Sequence, residues 1–162
     1  MNGGRSASAD RLTALYRDSI RRHAANPTGF RRPIAATHRH EAYNPLCGDR
    51  VEIGLRVTDD TIEEAAFDGE ACAICMASAS LLCGLAPGRT VAELGALKEL
   101  LREALQQDVG ADLAGDRGHG PLPQELHALL GVRPYPSRIR CATLPWTAAA
   151  AALGGGNEGP TD

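Results

Sequence analysis

An alternating stretch in the middle of the chain constrains the fold more than any other feature. Between residues 51 and 57 an apolar side chain stands at every second position, which puts these side chains on one face of a β-strand. Asp59 and Asp60 supply a turn, and residues 62–67 return as a second strand of a hairpin. We expect a further strand over residues 34–42. The pattern predicts an antiparallel sheet of two or three strands.

Helical patterns surround this sheet, so the chain is expected to be a single α+β domain. We expect a helix after Asp10, which can cap it, and a second helix that starts at Cys72. Thr90 and Glu93 form a capping box for a third. The remaining predicted segments are a helix over residues 124–130, a last helix that enters near Cys141 and runs into the alanines of 148–152, a glycine-rich loop over 110–121, a flexible lead-in over 1–9, the domain itself over 10–153 and a disordered tail over 154–162.

Composition excludes several classes of protein. The net charge is −3, so a general affinity for nucleic acid is not expected. No apolar run is long enough to cross a bilayer, and we expect no membrane partner. The number of cysteines is odd, at five, in a sequence with no export signal at its N-terminus. We therefore expect reduced thiols in a cytoplasmic protein, used for metal binding or catalysis.

One short segment carries a candidate metal site. Cys47 and Asp49 are separated by Gly48, which allows the backbone to bend until both side chains face one point. A thiolate and a carboxylate can then share a divalent cation. Taken alone, this segment could equally be an ordinary turn with a half-buried thiol.

Two further cysteines could complete the site. Cys72 stands where a helix begins, and the helix dipole favours a thiolate there. Cys141 follows Arg138 and Arg140, two cations expected to lower its pKa. Both thiols could instead be small core residues. Together with Cys47 and Asp49 they make a tetrahedral set suited to Zn²⁺ or to an iron–sulfur cluster.

The other two cysteines are expected to be core residues. Cys75 and Cys83 lie on the small-residue face of the helix that starts at Cys72, at spacings typical of a buried face. We therefore interpret the Cys72–Cys75 spacing as packing, not as a redox motif. The five histidines show no spacing that joins the cysteines, and we expect each to be solvated or structural: His23, His38, His40, His119 and His127.

Three segments resemble the signatures of one family. They are Asn-Pro-Leu-Cys-Gly-Asp at 44–49, Phe-Asp-Gly-Glu-Ala-Cys-Ala-Ile-Cys-Met-Ala-Ser-Ala-Ser at 67–80 and Arg-Ile-Arg-Cys-Ala-Thr-Leu-Pro-Trp at 138–146. They resemble the IscU/NifU-type iron–sulfur cluster assembly proteins, and the SufU branch most of all. IscU proper has a histidine where this chain has Arg140, and a Leu-Pro-Pro-Val motif where this chain has residues 132–135.

The resemblance implies a SufE/NifU-like α+β fold, in which helices cover a small three-stranded antiparallel sheet. It also implies metal ligands at Cys47, Asp49, Cys72 and Cys141. SufU-like proteins are zinc-dependent sulfurtransferases that take persulfide sulfur from a SufS-type cysteine desulfurase and pass it to the SufBCD scaffold. A desulfurase histidine takes one zinc position in that family, which frees the acceptor cysteine.

In this sequence the implied acceptor is Cys47, with Cys141 as the second candidate. Such a protein is a co-substrate of the desulfurase rather than a stand-alone enzyme. Two other functions remain open. One is a scaffold that binds iron and assembles a [2Fe–2S] cluster, with Fe²⁺ or the cluster in place of zinc. The other is a structural zinc domain that only binds partners.

Overall fold

The computed structural model describes residues 7–106 and 122–154. Along the chain these residues form four α-helices, three strands and one 3₁₀ helix. Their bounds are α1 Ala7–Ala25, β1 His38–Asn44, β2 Asp49–Thr58, β3 Thr61–Glu70, α2 Ala73–Leu85, α3 Val91–Gln106, the 3₁₀ helix Gln124–Val132 and α4 Pro136–Leu153. None of the helices in these two ranges is long and apolar enough to cross a membrane.

The three strands form one antiparallel sheet in the order β1-β2-β3. This confirms the predicted fold class and the predicted hairpin. The alternating side chains Val51, Ile53 and Leu55 of β2 are completely buried, because one face of the sheet is covered by helices. The sheet ends where Asn44 pairs with Asp49, so the β1–β2 turn lies at this edge.

The helices form a layer whose centre is α2. This helix packs against β3, α1 and α4, while α4 also covers β1 and β2. Most residues of α2 are buried, as its alanines and serines predict, since small side chains let helices approach closely. Trp146 of α4 is among the largest completely enclosed side chains. The N-termini of α2 and β2 meet at the same end of the sheet, which is the end that carries the site described below.

The capping box of α3 is present as predicted. The Thr90 amide donates to Oε1 of Glu93 at 2.9 Å, and the Glu93 amide donates to Oγ1 of Thr90 at 3.1 Å. These reciprocal bonds satisfy two amides that a helix start otherwise leaves without partners.

Three predicted boundaries were wrong. The first strand covers His38–Asn44, not 34–42, because it pairs along β2 from Leu55 to Asp49. Helix α1 begins at Ala7, so Asp10 lies inside the helix and does not cap it. Cys141 lies in the second turn of α4, which starts at Pro136. The predicted glycine-rich loop (110–121), residues 1–6 of the lead-in and residues 155–162 of the tail lie outside the described residues.

Candidate metal centre

The β1–β2 turn presents Cys47 to solvent at the end of the sheet. Buried Asn44 organises this turn: its side-chain oxygen accepts a hydrogen bond from the Leu46 amide at 3.0 Å, and its carbonyl accepts one from the Gly48 amide at 2.8 Å. Gly48 has φ +79°, a conformation that glycine adopts without strain. Cys47 is exposed at the tip. Asn44 was not predicted as a site residue, although Asn-Pro is a known turn signal.

Asp49 lies directly after the turn and is buried, with 4% of its surface exposed. Its Oδ1 accepts a hydrogen bond from the backbone amide of Cys72 at 2.9 Å. Cys72 is the N-cap of α2 and has extended backbone angles. The carboxylate therefore joins the first residue of β2 to the start of α2, where the helix dipole favours negative charge.

Cys141 reaches the same place from α4. It is 6% exposed, and its thiol points at the Ser137 carbonyl, 3.5 Å from Sγ. Burial raises the pKa of this thiol, and the neighbouring Asp49 and Cys72 side chains raise it further. The expected lowering by Arg138 and Arg140 was wrong, because both arginines are exposed on α4 while the thiol faces inward.

Cys47, Asp49 and Cys141 form one cluster. Their ligand atoms all lie within 4.8 Å of one another, although the residues come from a turn, a strand and a distant helix. Cys72 is not part of that tight group. It adjoins the cluster through its amide, bonded to Asp49, and through its side chain, which interacts with the Cys141 thiol. The structure thus brings together three of the four predicted ligands and places the fourth beside them.

The residues of this cluster fit a divalent metal. Asp49 Oδ2 is buried and has no hydrogen-bond partner among the described residues. A buried carboxylate oxygen without a partner is costly unless a proton or a cation compensates it. The pKa of the Cys141 thiol is raised first by burial and then by the neighbouring Asp49 and Cys72 side chains, so a further negative charge is disfavoured there. A zinc-like cation would relieve both conditions, and sulfur and carboxylate donors are ligands that Zn²⁺ accepts.

The other two cysteines are buried in the core, as predicted. Cys75 lies behind the site with no exposed surface, and burial raises its pKa, with Asp49 adding a smaller contribution. Burial raises the pKa of Cys83 to about 12. Gly29 packs so closely against Cys83 that a Cβ on Gly29 would lie 2.8 Å from the Cys83 Cβ. Both thiols therefore stay neutral at physiological pH.

The described histidines remain outside the cluster. Nδ1 of His23 lies 2.7 Å from Oγ of Ser80, and Nε2 of His127 lies 3.1 Å from the Leu122 carbonyl oxygen. Nδ1 of His38 lies 2.8 Å from Oγ1 of Thr37. These bonds fit the structural roles expected from the sequence. His119 lies outside the described residues.

Comparisons with known proteins identify the family. The family model for the NifU-like N-terminal domain matches residues 15–142. The chain is 32% identical over 140 residues to the zinc-dependent sulfurtransferase SufU of Bacillus subtilis, covering 85% of this chain and 88% of that protein. It is 31% identical over 140 residues to the iron–sulfur cluster assembly scaffold protein IscU of Thermotoga maritima, covering 86% and 92% respectively.

Solved structures agree with this assignment. The crystal structure of a NifU-like N-terminal protein from Brucella abortus superposes with a TM-score of 0.72 at 22% identity, covering 91% of this chain and 98% of that one, which supports the fold. A candidate iron–sulfur cluster assembly scaffold protein for the SUF system from Fervidobacterium islandicum superposes with a TM-score of 0.69 at 25% identity, covering 84% and 94%. The chain therefore belongs to the NifU-like N-terminal domain family, the family of the iron–sulfur cluster assembly proteins SufU and IscU that it resembles.

Proposed function

We propose that this protein is a zinc-dependent sulfurtransferase of iron–sulfur cluster assembly, with Cys47 as the sulfur acceptor. Sulfur would come from a SufS-type cysteine desulfurase and go on to the SufBCD scaffold. The proposed metal ligands are Cys47, Asp49, Cys72 and Cys141. The similarity to a zinc-dependent sulfurtransferase supports the class of activity. Because the reaction depends on free thiols, the cytoplasm is the compartment that suits it.

The observation that carries the proposal is the difference in exposure among the clustered side chains. Cys47 is exposed on the turn, whereas Asp49 and Cys141 are 4% and 6% exposed. Cys72 is half-buried at the start of α2. A sulfur atom held by another protein can reach only a thiol that is open to that protein. Cys47 is therefore the accessible nucleophile, and the other three side chains are its fixed surroundings.

The transfer step follows from this arrangement. The Cys47 thiolate attacks the outer sulfur of the persulfide on the desulfurase cysteine, and a new S–S bond forms at Cys47. The original S–S bond breaks, and its electron pair leaves with the desulfurase cysteine as a thiolate. Sulfur and electrons balance, so no separate oxidant or reductant is needed. The β1–β2 turn lets Cys47 move with less disruption than a residue held within a helix.

The metal has a supporting role in this proposal. When bound, Zn²⁺ would keep Cys47 deprotonated at neutral pH and protect it from oxidation. Asp49 holds the N-terminus of α2 through the Cys72 amide. Cys141 of α4 places its thiol within 4.8 Å of the Cys47 thiol on the turn.

A desulfurase assay tests the proposal. Cysteine turnover by a SufS-type desulfurase is measured with the wild-type protein, with Cys47→Ala and with the core control Cys83→Ala. We expect the wild type and Cys83→Ala to raise turnover equally and Cys47→Ala to give no increase. A Cys47→Ala protein that carried a persulfide after incubation would move the acceptor role to Cys141. Bound zinc without any stimulation by the wild type would favour a structural zinc domain instead.

A scaffold for a [2Fe–2S] cluster is the second candidate, favoured by the similarity to the IscU scaffold of Thermotoga maritima. Three sulfur donors and a carboxylate would also hold iron. Metal content and absorbance after anaerobic purification distinguish the two functions. About one zinc per chain and a colourless protein favour sulfur transfer. A brown protein with iron and acid-labile sulfide favours the scaffold.

A further inference from the structure

A buried serine links the two helices that carry Cys72 and Cys141. Ser78, in the middle of α2, is completely buried. Its hydroxyl donates to the carbonyl of Ala142 at 2.5 Å and accepts a hydrogen bond from Nε1 of Trp146 at 3.0 Å. One hydroxyl group thus holds two residues of α4, and Ala142 directly follows Cys141.

Ala142 and Trp146, the two residues bonded to Ser78, lie on either side of a proline in α4. Pro145 lies inside the helix and has no amide proton, so it cannot donate to the carbonyl of Cys141, four residues earlier. The turn that carries Cys141 therefore lacks one of its own helical bonds. Ala142 and Trp146 flank Pro145, and both are tied to α2 through Ser78.

We propose that Ser78 is a positioning residue for Cys141: by holding the proline-containing turn of α4 on α2, it keeps the Cys141 thiol in the cluster with Cys47 and Asp49. This inference rests on the proposed function for its importance to the metal. The position of the thiol itself can be tested without metal. Ser78 is buried from solvent, and its hydroxyl bonds to the Ala142 carbonyl and the Trp146 indole of α4, not to a proposed metal ligand.

Ser80 is a matched control on the same helix. It is as completely buried as Ser78, and its hydroxyl also has two partners, His23 at 2.7 Å and the Thr28 amide at 2.8 Å. Those partners belong to α1 and the turn that follows it, not to α4. Replacing either serine by alanine removes one buried hydroxyl and its two hydrogen bonds. Only the Ser78 change releases α4.

The metal-free test measures how close Cys47 is to Cys141. The wild type, Ser78→Ala and Ser80→Ala are stripped of metal and treated with dibromobimane, which joins two thiols a few ångströms apart. Peptide mapping then gives the yield of the Cys47–Cys141 cross-link. We expect the yield to fall in Ser78→Ala and to match the wild type in Ser80→Ala. Equal yields in the two serine variants would overturn the inference.

The metal-dependent test measures zinc affinity by competition with a chromophoric chelator, together with the visible spectrum of the cobalt-substituted proteins. For Ser78→Ala we expect a dissociation constant about tenfold higher, the lower end of the effect of removing a supporting hydrogen bond, and altered cobalt bands. Ser80→Ala should match the wild type in both. The cross-link yield decides if the two tests disagree. A wild-type protein that binds no zinc would refute the proposed function. The cross-link yield would still test whether Ser78 positions Cys141.

A second variant covers the case in which Ser78→Ala does not fold. Trp146→Phe removes the indole donor and leaves the bond from Ser78 to Ala142. It should lower the Cys47–Cys141 cross-link yield below that of Ser80→Ala. A Trp146→Phe yield equal to that of Ser80→Ala would then count against the inference.

Discussion

The backbone amide of Cys72 donates a hydrogen bond to Oδ1 of Asp49 at 2.9 Å, and the second carboxylate oxygen of Asp49 is buried without a hydrogen-bond partner among the described residues. Oδ1 thus stabilises the fold, because it anchors the start of α2. Oδ2 remains available to bind a metal. Substitutions at Asp49 can therefore separate the two roles.

We predict that Asp49→Asn and Asp49→Ala both weaken zinc binding without abolishing it, because the carboxylate is the most exchangeable of the four proposed ligands. Asn can still accept a hydrogen bond from the Cys72 amide, whereas Ala cannot. Relative to Asp49→Asn, Asp49→Ala should therefore lose a further ~1 kcal/mol of unfolding free energy in chelator, roughly the value of one neutral hydrogen bond. Zinc titration and urea unfolding measure both effects. Zinc affinity and sulfur transfer equal to those of Glu125→Ala, a change at an exposed carboxylate, would contradict the ligand role.

We predict that Cys72→Ala and Cys141→Ala lose the metal and unfold at a lower temperature than the wild type. Metal binding free energy is folding free energy when the site forms only in the folded state. The difference from the wild type should shrink strongly in excess chelator, when no protein holds metal. Metal analysis and thermal unfolding with and without chelator test this. Full zinc occupancy in either variant would rule out that ligand.

We predict that Cys75→Ser and Cys83→Ala leave zinc content and sulfur transfer intact. Each should cost about 1 kcal/mol of stability, since one small buried side chain is made polar or shortened. Burial raises the pKa of both thiols, so a maleimide reagent should modify them only after unfolding. A persulfide found on Cys75 by mass spectrometry would show instead that sulfur passes through it.

We predict that alkylation of Cys47 is slow in the zinc-loaded protein and becomes faster when the desulfurase binds. The thiol is exposed, so a bound metal is what would protect it. The metal-free protein should react quickly without the desulfurase. Mass spectrometry of the modified peptides gives the rates, with Cys83 as the internal buried reference. If the alkylation rate of Cys47 were the same with and without metal and desulfurase, Cys47 would be excluded as the acceptor.

We predict that protonation of His23 destabilises the fold below about pH 6.5. Burial lowers the pKa of His23 from its ordinary value of 6.5, and Arg22 lowers it further. The unfolded chain then binds the proton more tightly than the folded one. The stabilising contribution is complete above pH 6.5 and is lost as the pH falls through that value towards the lower folded pKa.

Urea unfolding at pH 7.5 and 5.5 measures this effect. The loss of stability on acidification should be smaller in His23→Gln than in the wild type and in the control His38→Gln. Release of metal by acid affects all three proteins alike. An unchanged loss in His23→Gln would exclude His23 as the source.

Local features of the sequence predicted most of the fold correctly. The alternation around Ile53 and the Thr90–Glu93 capping box each depend on neighbouring residues, and both are present. The limits of β1 depended instead on pairing with β2, which the two histidines and one arginine of β1 do not encode. The position of Cys141 within α4 likewise depended on where Pro136 starts the helix.

The candidate site was predictable in its residues but not in its geometry. The convergence of Cys47 with Cys141 is a contact between distant segments, and the resemblance to a family, more than any local pattern, pointed to it. Charge beside Cys141 in the sequence misled the pKa prediction, because Arg138 and Arg140 leave the helix on its exposed side. The Ser78–Trp146 contact gave no sequence signal, since an isolated serine in a small-residue helix carries no pairing information.

The order of the cluster along the chain has a consequence for synthesis. Cys47, Asp49 and Cys72 all lie between the start of the sheet and the start of α2, while Cys141 comes from α4, the last helix of the described residues. A chain still growing on the ribosome would expose the first three side chains before the fourth exists. Since domains made from N- to C-terminus begin to fold as they emerge, the sheet and α2 would present an open, incomplete site until α4 emerges. The finished site can close only when α4 docks, after the whole domain has left the ribosome.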